Sequence, residues 1–132
     1  MLRIKILLLL ISVAFAAPER KLVNTSPEIA KIMINALKEC THKSDVEDIL
    51  TMGRSGKWRD DEAYNNMIRC TFEVSGYTTK DGRLNLEKAL TVLPGHDDIN
   101  KVIKDCYDNY SDLYDFYICF QKKTPSYLNL SS

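Results

Sequence analysis

Apolar side chains recur every three or four positions along most of this chain, the spacing that places them on one face of a helix. The clearest stripe runs from Ile29 to Cys40, and Ser26 followed by Pro27 is typical of a helix start. No segment alternates apolar and polar residues for more than about four positions, so strands are not predicted. The pattern therefore predicts an all-α fold of about six short helices.

The other five stripes are bounded by capping residues, glycine and proline. Ser44 with Glu47 matches a capping box, which predicts a helix start. Pro94-Gly95 predicts a helix end, since proline and glycine do not continue a helix. The predicted bounds are Ser44 to Gly53, Asp60 or Asp61 to Gly76, Leu86 to Pro94, Asp97 or Asp98 to Cys106, and Ser111 to Lys123.

The segment "YTTKDGRLNLEK" contains an Asp-Gly pair that resembles half of a calcium loop. If Gly82 were the sixth loop position, Tyr77 would be the first and Lys88 the twelfth. Neither side chain offers the carboxylate oxygens that calcium requires at those positions. The segment is therefore predicted to be a turn at Asp81-Gly82, without a metal.

The N-terminus has the organisation of a secretory signal peptide. Arg3 and Lys5 precede the apolar run "ILLLLISVAF", and an A-x-A cleavage pattern ends at Ala16. The run is too short to cross a bilayer. We therefore expect residues 1–16 to be removed, leaving residues 17–132 as one secreted, extracellular domain with no membrane span.

Charge and chemistry exclude several classes of function. Without Arg3 and Lys5, the 18 basic residues no longer balance the 18 acidic ones, so the mature chain is slightly acidic and nucleic acid is not an expected partner. His42 and His96 are the only histidines, and neither lies in a catalytic or metal-binding motif. No enzyme activity, cofactor or metal is predicted.

Four cysteines in a secreted chain predict two disulfides, although the count alone leaves three pairings open. The chain has no C-x2-C pair, the spacing that would indicate a zinc site. Three N-x-S/T sequons, at Asn24, Asn109 and Asn129, are candidates for glycosylation. Pro27 directly follows the first sequon, and we expect it to disfavour modification there.

The cysteine spacing and the segments "CTFEVSGYTTKDGRLNLEKAL" and "CFQKKTPSYLNL" resemble the insect odorant-binding proteins of the pheromone-binding/general-odorant-binding family. That family typically has six cysteines, and this chain has Asn66 and Tyr110 where the second and fifth are expected. Those two pair with each other in the family, so the chain is similar to its four-cysteine "minus-C" subgroup. The twelve residues between the last two cysteines are fewer than usual. The matching cysteines are Cys40, Cys70, Cys106 and Cys119.

The resemblance implies disulfides Cys40–Cys70 and Cys106–Cys119 and helices packed around an internal hydrophobic pocket. It implies a secreted carrier that reversibly binds odorants, pheromones or other lipophilic molecules. The chain would act as a monomer or weak homodimer, with a chemosensory receptor as a further partner. The resemblance places five pocket residues: Met33, Ile68, Phe72, Ile103 and Phe120. Helical position alone adds Met52, Trp58 and Met67.

Three further expectations concern ligand exchange. The tail from Thr124 to Ser132 is expected to cover the pocket mouth. Without the second and fifth cysteines the pocket is expected to be softer, which restoring them as Asn66→Cys and Tyr110→Cys would test. His96 beside two aspartates is the candidate for pH-gated release. The alternative function is a secreted helical interaction or signalling protein, such as a venom component, with a filled core.

Overall fold

The computed structural model describes residues 21–130, and the all-α prediction is confirmed there. The predicted signal peptide and its cleavage site lie outside the described residues. Helices alternate with turns, and a two-stranded sheet joins the two ends of the described residues. The helices are α1 (Pro27–Cys40), α2 (Val46–Arg54), α3 (Glu62–Val74), α4 (Leu86–Ala89), α5 (Asp97–Asn109) and α6 (Leu113–Lys123); the strands are β1 (Lys21–Asn24) and β2 (Ser126–Asn129).

Helices α1 and α3 begin where the sequence predicts, because side-chain oxygens bond their first free N–H groups. The Ser26 hydroxyl accepts a hydrogen bond from the N–H of Ile29 at 3.2 Å. Asp61 accepts one from the N–H of Tyr64 at 2.8 Å. These bonds confirm both predicted starts.

Two other helix starts are predicted wrongly. Lys43–Asp45 forms a 3₁₀ turn, and α2 follows it without any side-chain capping bond, so Ser44 with Glu47 is not a capping box. Helix α6 is capped by Asp112 rather than by Ser111, since the Asp112 carboxylate accepts from the N–H of Asp115 at 3.0 Å. The α2 start therefore has no side-chain cap, and the α6 cap lies one residue after the predicted one.

The predicted fourth helix is much shorter than expected. Helix α4 ends at Ala89, and turns occupy the chain from Leu90 to Gly95. Pro94 disfavours the helical conformation in the residue before it. Val92 and Leu93 are nevertheless buried, so their apolar spacing reflects core contact rather than helix.

The sheet was not predicted. Strands β1 and β2 pair in parallel, with Val23 opposite Leu128. Each strand has only four residues, and the two lie at opposite ends of the described chain, so neither shows an alternating pattern of its own. Their pairing brings both ends of the described residues to the same side of the core.

Both predicted disulfides are confirmed, and no cysteine is free. Cys40–Cys70 joins α1 to α3, and Cys106–Cys119 joins α5 to α6. The Cα atoms are 5.7 Å apart in each bridge. Each of the four longest helices, α1, α3, α5 and α6, is thereby held at a fixed crossing point with one other helix.

The buried apolar residues form two clusters that share Phe72 at their border. The first, here called the pocket cluster, centres on α5, α6 and the segment from Tyr77 to Leu93. The second, here called the tyrosine cluster, lies between α1, α2, α3 and α6 and contains Tyr64 and Tyr114. The candidate functional site described below lies in the pocket cluster, so the cluster to which a residue belongs determines whether its side chain can line that site.

Candidate functional site

An apolar pocket of about 190 Å³ lies within the pocket cluster. Its wall is apolar or aromatic except at Ser126, and no charged side chain lines it. Helices α1, α3, α4, α5 and α6 contribute to it, as do both strands and the loops around α4. The lining residues are Val23, Met33, Phe72, Tyr77, Leu84, Ala89, Val92, Leu93, Ile99, Ile103, Phe116, Phe120, Ser126, Tyr127 and Leu128.

Four of the eight predicted pocket residues line this pocket: Met33, Phe72, Ile103 and Phe120. All four were placed by their offset from a cysteine. The disulfides fix where α1, α3, α5 and α6 cross, so offsets from the cysteines carry information about which face points inward. Their role in ligand binding stays a prediction.

The other four predicted residues lie away from the pocket. Ile68 and Met67 are buried in the tyrosine cluster, and Met52 and Trp58 are half-buried against it. Helix α3 borders both clusters, so Ile68 is buried in the tyrosine cluster, whereas Phe72, one helical turn later, packs against both clusters and lines the pocket. Helical spacing marks all of these positions as inward-facing but does not distinguish the two interiors.

Sequence reasoning missed eleven lining residues, for two different reasons. Ile99 and Phe116 lie four positions before Ile103 and Phe120, so the same helical faces could have indicated them. Residues in loops and strands, such as Tyr77 and Leu128, have no periodic pattern that would reveal them. Their position depends on how distant segments pack.

The C-terminal segment forms part of the pocket wall. Ser126, Tyr127 and Leu128 line the pocket from β2, and Val23 lines it from β1. The Tyr127 ring packs directly on Gly53 of α2, where an added Cβ would stand 2.5 Å from the Cε2 atom of the ring. Backbone pairing with β1 and this contact with α2 together hold β2 over the pocket.

The PBP/GOBP family model matches residues 23–123, which include both disulfides and all five helices that line the pocket. The chain belongs to this family. Its four cysteines fit the minus-C type. Neither the search of curated proteins nor the search of solved structures found a match.

Membership of the PBP/GOBP family implies a small, soluble odorant-binding carrier rather than an enzyme. Members of the family are secreted, and two disulfides are consistent with an oxidising compartment. Within residues 21–130, no helix is both long and apolar enough to cross a membrane. The same residues contain no group of three histidine, cysteine or acidic side chains that could hold a metal ion.

The electrostatics of the pocket suit a PBP/GOBP carrier, because the phenol groups of the two pocket-lining tyrosines stay neutral at physiological pH. Burial raises the pKa of Tyr77. Burial also raises the pKa of Tyr127, more than the nearby Arg54 lowers it. Neither histidine lines the wall, and His96 stands at the N-cap position of α5, three residues before Ile99.

The tyrosine cluster differs from the pocket because its polar groups are paired with one another. The hydroxyls of Tyr64 and Tyr117 lie 3.0 Å apart, and Tyr114 donates to the backbone oxygen of Arg59 at 2.9 Å. Burial raises the pKa of Tyr117 well above its usual value, so this ring stays neutral too. These internal hydrogen bonds indicate a structural interior rather than a second ligand site.

Proposed function

We propose that this chain is a secreted carrier that reversibly binds one small hydrophobic molecule in the apolar pocket. The observation that carries the proposal is an uncharged wall built mostly from helices and loops of the family-matched region and closed by residues of β2. Transfer of apolar ligand surface from water into such a wall supplies the driving force, and no covalent chemistry is required.

The volume of the pocket suggests the size of the ligand. A cavity of about 150 Å³ holds benzene, so one of about 190 Å³ suits roughly eight to ten non-hydrogen atoms. Burying about 300 Å² of apolar surface stabilises the complex by at most about 7 kcal/mol, which corresponds to a Kd near 10 µM. Longer ligands require part of the wall to move.

The tail is the part of the wall proposed to move. Among the described residues, strand β2 is held by four residues of parallel pairing, by the contact between Tyr127 and Gly53 and by the packing of Leu128 on the pocket cluster. Exchange of ligand by opening of β2 leaves the disulfide-linked helices in place. The mature carrier is proposed to span residues 17–132 and to act as a monomer or weak homodimer that can present its ligand to a chemosensory receptor.

Native mass spectrometry of the secreted, oxidised protein, followed by extraction of its contents, tests the proposal directly. We expect one apolar molecule per chain, and uptake of a hydrophobic fluorescent probe by the emptied protein. A folded protein that carries nothing and ignores the probe would instead support the interaction or signalling protein.

A matched pair of substitutions connects binding to this pocket. Ile103 and Ile68 are both buried isoleucines, 8% and 5% exposed, but only Ile103 lines the pocket. Each Ile→Val change should cost about 0.5–1.5 kcal/mol of stability. Only Ile103→Val should shift preference, by about three- to tenfold, towards a ligand one methylene longer. Equal shifts in both variants would place the ligand elsewhere.

A further inference from the structure

The sequon Asn109-Tyr110-Ser111 lies at the end of α5, where the chain turns towards α6. All three of its residues are exposed, and Tyr110 is 45% exposed. Tyr110 has extended backbone angles, φ −134° and ψ 114°, so the helix ends within the sequon. The acceptor side chain and the hydroxyl residue after it are thus both accessible from solvent.

The side chain of Asn109 can carry a substituent without losing its place in the fold. Its Nδ2 atom donates a hydrogen bond to the backbone oxygen of Asp105 at 2.7 Å. A primary amide nitrogen has two hydrogens, and glycosylation replaces one of them. The remaining N–H can keep the bond to Asp105.

The surroundings of the sequon also leave room. Tyr110 borders an open groove of about 290 Å³ that it shares with Trp58 and Tyr114. Ile103 is the last residue of α5 that lines the ligand pocket, and Asn109 lies six residues further on, about 9 Å along the helix axis. A glycan at Asn109 therefore stays clear of the pocket wall.

The other two sequons are less suitable. Asn24 ends β1, and the two residues after it are engaged: Thr25 donates to the backbone oxygen of Val92 at 2.9 Å, and Ser26 caps α1. A glycan at Asn24 would sit at the pairing of β1 with β2, and Pro27 follows this sequon. The sequon at Asn129 lies in β2 and extends to Ser131, outside the described residues.

We propose that Asn109 carries an N-linked glycan in the secreted protein, an inference that rests on the secretion in the proposed function and not on the ligand. The donor is an oligosaccharide joined through a diphosphate to a polyprenol. A membrane-bound oligosaccharyl transferase catalyses attack of the Asn109 amide nitrogen on the anomeric carbon. The C–N bond forms, the C–O bond to diphosphate breaks, polyprenyl diphosphate leaves with the electron pair, and the amide proton passes to a base of the transferase.

The test is secretion of the full chain from cultured insect cells, followed by intact mass measurement before and after treatment with an N-glycosidase. When the N-glycosidase treatment is carried out in heavy-oxygen water, it should convert Asn109 to an aspartate that carries the heavy oxygen. Asn24 and Asn129 should remain unlabelled asparagines. Ser111→Ala should abolish the mass increment, whereas Ser111→Thr should retain it. Ser131→Ala is the matched control and should leave the increment unchanged.

Each outcome decides the inference separately from the carrier function. A secreted protein without glycan, or with glycan only at Asn24 or Asn129, overturns the assignment even if it binds a hydrophobic probe. A glycan at Asn109 on a protein that ignores the probe sustains the assignment and removes the carrier. A chain retained in the cell and unmodified overturns both secretion and the glycan.

Discussion

Tyr77 brings a phenol hydroxyl to a largely apolar pocket wall. The residue is 6% exposed, and among the described residues its hydroxyl has no hydrogen-bond partner but is not fully buried. Burial raises the pKa of this phenol, so it remains a neutral donor at physiological pH. An unpaired donor in such a place favours ligands that bring an oxygen atom to it.

The first prediction follows from that unpaired hydroxyl. Tyr77→Phe should weaken binding of a ligand with one carbonyl or hydroxyl oxygen by about three- to tenfold, the effect of one lost hydrogen bond. Binding of a hydrocarbon of the same size should not weaken. Competitive displacement of a fluorescent probe by such a matched pair measures the difference, and parallel losses for both ligands would show that the hydroxyl does not contact the ligand.

Strand β2 depends on the absence of a side chain at Gly53. A glycine within a helix normally costs about 1 kcal/mol relative to alanine, so Gly53→Ala in α2 would ordinarily stabilise the protein. Here the new methyl group would overlap the Tyr127 ring. Because that ring holds β2 against the helices, the contact and the strand's position are coupled.

The second prediction is that Gly53→Ala lowers stability and speeds ligand release several-fold by displacing Tyr127. Combined with Tyr127→Ala, the same Gly53→Ala change should become neutral or stabilising, since the overlap is gone. Denaturant unfolding and stopped-flow release of a probe from the four proteins of this cycle give both readouts. Additive effects of the two substitutions would contradict the coupling.

Asp112 connects two elements that no disulfide joins. Arg69 of α3 donates to both carboxylate oxygens of Asp112, at 2.7 and 2.9 Å, and Asp112 also caps α6. Asn66 and Tyr110, the positions of the two cysteines missing from the family pattern, lie close to this pair in sequence. The ion pair therefore links α3 to the start of α6 without a covalent bond.

The third prediction separates these two roles of Asp112. Asparagine also caps helices well, so Asp112→Asn should remove only the ion pair, at a cost of up to about 1 kcal/mol for this partly exposed site. Asp112→Ala should remove the cap as well, at a cost of about 1 kcal/mol more. Equal losses in the two variants, measured by urea unfolding at neutral pH, would mean that the cap contributes nothing.

The same pair predicts a pH dependence. Burial by itself raises the pKa of Asp112, but the bonds from Arg69 and from backbone N–H groups outweigh it and leave the pKa below its ordinary value. The stabilisation is thus present above the unfolded pKa of about 4 and is lost as pH falls through the lower folded pKa. Asp112→Asn should flatten this acid limb of the stability curve.

The two disulfides act at the scale of the whole molecule, and they should differ in effect. Cys40–Cys70 closes a loop of 30 residues and Cys106–Cys119 one of 13, which corresponds to about 4 and about 3 kcal/mol of stabilisation in the chain-entropy model. Only the second bridge lies in the pocket cluster, where Cys106 is fully buried.

The fourth prediction is that the disulfide whose removal lowers stability more is not the one whose removal speeds ligand dissociation more. Replacing Cys40 and Cys70 by alanine should cause the larger loss of stability. Replacing Cys106 and Cys119 should cause the larger rise in the ligand dissociation rate, because it frees α5 from α6 beside the pocket. Thermal unfolding and probe release on both double variants would decide this, and a single shared ranking would count against it.

What the sequence determined by itself is local. Stripes of apolar residues and side chains such as Ser26 and Asp61 act within one helical turn, so they predicted the helices and four of the six helix starts correctly. The cysteine count indicated two disulfides, and the family resemblance chose their pairing. Offsets from those cysteines also located Met33, Phe72, Ile103 and Phe120, since a bridge fixes the rotation of the helices that it joins.

Only the tertiary structure decided which interior each inward-facing residue enters. Ile68 and Phe72 lie one turn apart on α3, yet Ile68 is confined to the tyrosine cluster, whereas Phe72 borders both clusters and reaches the pocket. The pairing of Val23 with Leu128 joins segments from opposite ends of the described chain. Periodicity reports that a side chain avoids water, but the packing of elements distant in sequence determines what that side chain contacts instead.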